Sequence, residues 1–158
     1  MARQHQSQQL VFRTVQLLLP EVRKWVPEKR GAIPSTKVPI AGVNWWITAR
    51  PQLSSGKRFL AVELHAAPVV REFMWYAEAF AEFRLIAQDY STEHKVIKKR
   101  LVFSHRGGTL VVDDLIAWEA LVKTQLPNRW LRDEAAKLEV VIRTRSTIGN
   151  MFADVPLS

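Results

Sequence analysis

The stretch "REFMWYAEAFAEFRLIAQ", Arg71 to Gln88, decides the fold. By propensity its Ala, Glu, Phe, Arg and Leu suit a helix. By period it does not. Every odd position from Trp75 to Ala87 is apolar: Trp75, Ala77, Ala79, Ala81, Phe83, Leu85 and Ala87. A helix built from these residues is apolar all round, with Glu78, Glu82 and Arg84 scattered about it, whereas a strand gathers them on one face. The stretch is a strand.

Its neighbours alternate in the same way. "NWWITARP" (Asn44 to Pro51) sets Trp45, Ile47 and Ala49 against Trp46, Thr48 and Arg50. "RFLAVELHA" sets Leu60, Val62 and Leu64 against Phe59, Ala61, Glu63 and His65, and "KLEVVIRTR" sets Leu138, Val140 and Ile142 against Glu139, Val141 and Arg143. "SSGK" (Ser54 to Lys57) stands at hairpin distance between two of these runs, "HAAP" closes the second, and "QDYST" and "HRGG" bracket a basic strand. An opening strand lies within Gln9 to Leu19 and stops at Pro20. The Pro-rich run from Pro20 to Lys37 reads as a long irregular connection. In "DDLIAWEALVK" the apolar residues Leu115, Ile116, Trp118, Leu121 and Val122 share a helical face, and Asp113 and Asp114 stand where carboxylates cap a helix. The expectation is all-β: about eight strands in a two-sheet sandwich, with one short helix.

A chain of 158 residues suits one domain, and 47% hydrophobic residues rule out a disordered one. With no cysteine there is no disulfide framework and no thiolate metal site. No apolar run reaches the ~18 residues of a membrane span, and the polar start "MARQHQSQQ" is unlike a signal peptide, so the expected place is the cytoplasm or nucleus, off the membrane. The four His residues have no ligand spacing, the Gly107–Gly108 pair has no phosphate-loop partners, and Ser54 and Ser55 lack a nucleophile-elbow context. His65, on a polar strand face, reads as solvated. These residues point to a binding module, without catalysis, cofactor or metal.

Five segments, in order, resemble a known pattern. "GVNWWITARPQ" resembles the W-x-I/L-x-V-x-P strand of MATH (meprin and TRAF homology) domains, and "GKRFLAVELHAAP" is similar to the strand after it. "FMWYAEAFAEFRLIAQ", "LVFSHRGGTLVVDDLIAWEAL" and "WLRDEAAKLEVVIRTR" resemble the three segments that follow, over Leu10 to Arg145 in all. The resemblance implies an eight-stranded antiparallel TRAF-like sandwich over 10–145, a flexible segment at 1–9, and at 146–158 a linker like those leading to a BTB domain. It implies a non-enzymatic module that binds short unstructured peptides in a shallow sheet groove. In the adaptor-type members, the parent chain brings substrates to a cullin-based ubiquitin ligase through its BTB domain.

Carried over by position, the groove residues are Thr48, Glu63, Leu101 and the loop Thr109, Leu110, Val111 and Val112. The departures are plain. The loop has no Trp or Phe, and Thr48 and Glu63 stand where Arg and Tyr are common, so the ligand preference of the well-known adaptors does not carry over. Glu63 would favour Lys or Arg in a ligand. Leu110 and Val112 are either an apolar lip or the inward residues of an edge strand, since the run is too short for its period to decide. Trp46 is either an exposed anchor or lies under the Pro-rich connection.

Other classes compete. Net charge is +8, and Lys95, Lys98, Lys99, Arg100 and Arg106 cluster in and after one strand, a pattern compatible with nucleic acid or with a solvated face. Phe103 is the one aromatic interleaved there. A TRAF-like scaffold would need a heptad, and none runs through the first thirty residues. A deubiquitinase substrate-binding domain remains compatible with the same pattern.

Overall fold

The structure, a computed structural model, describes residues 11–26, 31–40, 42–69, 75–89, 93–104, 108–123 and 128–146. Seven long strands make up most of the fold: β1 (Val11–Leu19), β4 (Val43–Ser54), β5 (Lys57–Pro68), β6 (Tyr76–Leu85), β7 (Lys95–Ser104), β8 (Thr109–Ala117) and β10 (Ala135–Ser146).

 Three short ones lie in the connections: β2 (Ile33–Pro34), β3 (Val38–Ile40) and β9 (Leu131–Arg132). All pairings are antiparallel. One sheet runs β1-β10-β6-β7 with β9 beside β10, and the other runs β2-β4-β5-β8 with β3 beside β4. The molecule is an all-β sandwich, with the short strand β2 inside the Pro-rich run that was expected to be irregular.

Alternation sets which side of each strand is buried. Trp75, Ala77, Ala79, Ala81, Phe83 and Leu85 of the deciding stretch are all buried, while Tyr76 and Phe80 of the opposite face are exposed. Trp45, Ile47, Ala49, Leu60, Val62, Leu64, Leu138, Val140 and Ile142 complete the same core, as their period requires. Across the two sheets, Trp45 of β4 and Phe103 of β7 meet edge to face, with ring centroids 5.1 Å apart. Burying a side chain of that size contributes on the order of 2–3 kcal/mol.

The turn between β4 and β5 is Ser55–Gly56, with φ of 53° and 79°. Two residues with positive φ make the turn whose twist matches that of the flanking strands, and glycine takes its second position without steric cost. This fixes the register of the whole hairpin, from Ser54 opposite Lys57 to Val43 opposite Pro68. Asp133 and Glu134 turn β9 into β10 in the same way.

The expected helix is mostly strand. β8 runs through Asp113, Asp114, Leu115 and Ile116 to Ala117, and the helix α1 (Trp118–Leu121) is one turn long. Asp113 and Asp114 are exposed strand residues, and no side chain caps α1. The cause is a β-bulge: Val112 lies opposite Val62, yet Ile116 lies opposite Leu60. The extra residues let Leu115 and Ile116 both be buried, which imitates the adjacent apolar pair of a helix.

Part of the connection after β1 packs on α1. Trp25 stacks on Trp118 at 5.8 Å and donates its indole N–H to the Pro20 carbonyl. Arg23 donates to the carbonyls of Val122 (3.2 Å) and Lys123 (2.7 Å) and to Glu134 Oε1 (2.6 Å). Among the described residues no helix is long and apolar enough to cross a membrane.

Candidate functional site

The β4–β5 hairpin and β8 carry most of the expected groove residues to one face of the second sheet. Their registers place Thr48 opposite Glu63 and Glu63 opposite Val111, so these three lie in one cross-strand row. The next row is Trp46, His65 and Thr109. All six point away from the core, because the odd residues of β4 and the even residues of β5 fill it.

The outer edge of this face is β8. Among the described residues no strand pairs with β8 on the side away from β5. The ladder phase follows from one bond: the Ala66 N–H donates to the Gly108 carbonyl at 3.0 Å. In an antiparallel pair hydrogen-bonded and non-bonded positions alternate. Leu110 and Val112 therefore direct their backbone groups to β5, whereas the N–H and C=O of Thr109 and Val111 point toward the open edge. Gly108 is required where this edge begins, since a Cβ there would stand 2.4 Å from the Ala66 carbonyl oxygen.

The side chains divide along the same line. Val111 is 46% exposed, Thr109 is exposed, and Val112 is buried at 2%. Leu110 is half-buried and packs against the core. Of the two readings of this run, the inward one holds for Leu110 and Val112, and the exposed apolar position is Val111. Leu101 is a correction. Expected to point outward, it lies on β7 of the other sheet, opposite the fully buried Ala79, and packs half-buried against the core. The structure does not bring it to the face that holds Thr48 and Glu63.

His65 is the centre of a polar cluster rather than a solvated side chain. Its Nε2 lies 2.9 Å from Thr48 Oγ1 and its Nδ1 3.3 Å from Thr109 Oγ1. Its ring stacks on Trp46 at 5.1 Å, and Glu63 Oε2 is 3.6 Å from Nε2. A neutral imidazole donates from one nitrogen and accepts at the other, which suits two hydroxyl partners. Burial lowers its pKa from the ordinary value, and the Glu63 carboxylate opposes that shift. Glu63 also meets Arg50 at 3.8 Å, so its charge is already shared on two sides. Trp46 lies beneath the Pro-rich connection: Lys37 Nζ sits 4.9 Å over its ring.

Two members of this cluster lay outside the expected set, His65 and Trp46's role as its stacking floor. The signal for both was the two-residue turn, which sets Trp46 opposite His65 by counting outward from Ser55–Gly56. Among the described residues no three His, Asp or Glu side chains converge as a metal would require. No protein-family model matches the chain, and no curated protein matches it.

Proposed function

We propose that this domain is a peptide-recognition module of MATH type that adds an extended ligand segment to the free edge of β8. In the parent protein it would bring substrates to a cullin-based ubiquitin ligase through a BTB domain. One observation carries the reading: Thr109 and Val111 turn their backbone donors and acceptors to an edge that no described strand occupies. A peptide laid there gains main-chain hydrogen bonds from the edge, while alternate side chains confer selectivity. On the outer side its side chains would meet Val111, Glu63 and the Trp46–His65–Thr109 row. The ordered motifs and the sandwich fold support the same reading.

The test starts from a displayed library of disordered peptides, selected at about 0.3 M salt to weaken non-specific charge attraction. A recurrent short motif is expected. Val111→Pro then removes one edge-facing N–H and no bond to β5, so it should abolish binding while the melting temperature is largely kept. Thr109→Pro should act alike. Absence of any enriched motif, or a motif bound equally well by both variants, would refute strand addition at β8.

A further inference from the structure

The outer face of the other sheet carries a pattern that no single strand displays. The registers of β1, β10, β6 and β7 set Phe12, Arg143, Phe80 and Arg100 side by side in one row, aromatic and arginine alternating. Phe12 is 67% exposed and Phe80 43%. The Arg100 guanidinium lies 5.4 Å over the Phe80 ring. The adjoining row is Thr14, Val141, Glu82 and Lys98.

Around Phe80 and Val141 the surface sinks into a depression of about 520 Å³. Five cations line it, Arg84, Lys98, Lys99, Arg100 and Arg143, against one carboxylate, Glu82. The lining balance is +4 (five minus one), and one of the five, Arg100, is also paired with Glu78 at 3.2 Å. Glu82 is paired with Arg84 and with Lys98 (3.8 Å). Among the described residues Arg143 meets no carboxylate within ion-pair distance.

From this juxtaposition we infer that the outer face of the β1-β10-β6-β7 sheet binds single-stranded nucleic acid. The charge selects an anionic partner and excludes a basic one. The rings choose among anions. An acidic peptide would use the cations and leave Phe12 and Phe80 in water, whereas every base offers a flat face that stacks on an aromatic side chain. Neighbouring strands lie ~4.8 Å apart, so the two rings stand roughly 10 Å apart with Arg143 between them. That leaves room for a base on each ring and a phosphate over the guanidinium. Protection of a sheet edge explains lysines on β7, but not aromatic rings exposed on the interior strand β6. This surface is on the opposite sheet from β8 and does not depend on the peptide reading.

The test is fluorescence anisotropy of the domain with a labelled oligo(dT) of twenty residues. Binding is expected at about 50 mM salt and should weaken roughly 40-fold by 300 mM, as about three neutralised phosphates of a single strand imply. Phe80→Ala should weaken it at least about fivefold and Phe80→Trp should retain it, because stacking rather than charge is changed. Arg143→Gln should make the salt dependence shallower by about one phosphate contact. Val111→Pro should bind the oligonucleotide as the parent does. No binding at 50 mM salt would overturn the inference. So would a Phe80→Ala variant, folded by circular dichroism, that binds unchanged, or polyglutamate binding as tightly as the oligonucleotide.

Discussion

Replacing Gly108 by alanine should unsettle the start of β8. The new Cβ would stand 2.4 Å from the Ala66 carbonyl oxygen, and the atom it meets belongs to backbone, not to the tip of a pliant side chain. Relief requires Gly108 to move away from β5, which lengthens the 3.0 Å bond from Ala66 N–H to the Gly108 carbonyl. Overpacking of this kind costs about 2 kcal/mol. For a domain of this size that corresponds to a fall of roughly 4–8 °C in melting temperature. Two other glycines calibrate the measurement. Gly31 has nothing within 4 Å of its added Cβ, so Gly31→Ala should be neutral or slightly stabilising through the unfolded chain. Gly56 has open space but φ of +79°, so Gly56→Ala should cost about 1 kcal/mol from backbone conformation alone. Calorimetry gives the three temperatures, and amide exchange reports the Ala66 N–H, which should lose protection in Gly108→Ala only. A Gly108→Ala variant melting within about 1 °C of the parent, with Ala66 still protected, would refute the close approach.

Two further outcomes follow from side chains off the β8 edge. Arg23→Ala leaves the Val122 and Lys123 carbonyls and Glu134 without their donor, and should cost about 2 kcal/mol, read as a loss of roughly 4–8 °C in a thermal melt. His65 binds protons more weakly folded than unfolded, because burial lowers its pKa below the ordinary 6.5. Its neutral form therefore contributes stability that is full above that value and is lost as pH falls through it toward the folded pKa. Urea titrations at about pH 8 and about pH 5 should show the parent losing more stability on acidification than His65→Gln, and identical losses would contradict the assignment.

Much of this arrangement was legible in the chain, and the particular failures have causes. Strand identity at Tyr76 to Leu85 followed from parity, because a long run with one buried face leaves no ambiguity. The Thr48–Glu63 pair and the Trp46–His65 stack were equally accessible, since a two-residue turn determines every partner along two twelve-residue strands. β7 was not. Its apolar residues fall on both sides, Ile97, Leu101 and Phe103 against Val96 and Val102, so only pairing with the alanines of β6 settles which set is inward. That is why Leu101 was expected on the wrong side. The β8 bulge hid itself in a second way, since Asp113, Asp114 and Leu115 stand against the single Ala61 and leave an adjacent buried apolar pair, Leu115 and Ile116. The aromatic–arginine row could not be read from one strand at all. Its four members come from four strands, and Phe12 and Arg143 are brought together from opposite ends of the described chain.

The position of β10 has a consequence for how the chain is made. It lies between β1 and β6, in the interior of its sheet, yet among the described strands it is the last in order of synthesis. When a ribosome has released β8, β4 and β5 can already be paired across their two-residue turn, and β8 can join β5 although β6 and β7 intervene in sequence. β1 and β6 then have no strand to join them, and the apolar faces meant for β10 wait uncovered. Completion requires Val11 to find Thr144 across most of the chain. A nascent chain of this protein thus holds one nearly finished sheet against one that lacks its middle. Exposed strand edges of that kind are the surfaces chaperones guard, and the last dozen residues of the described chain end the exposure.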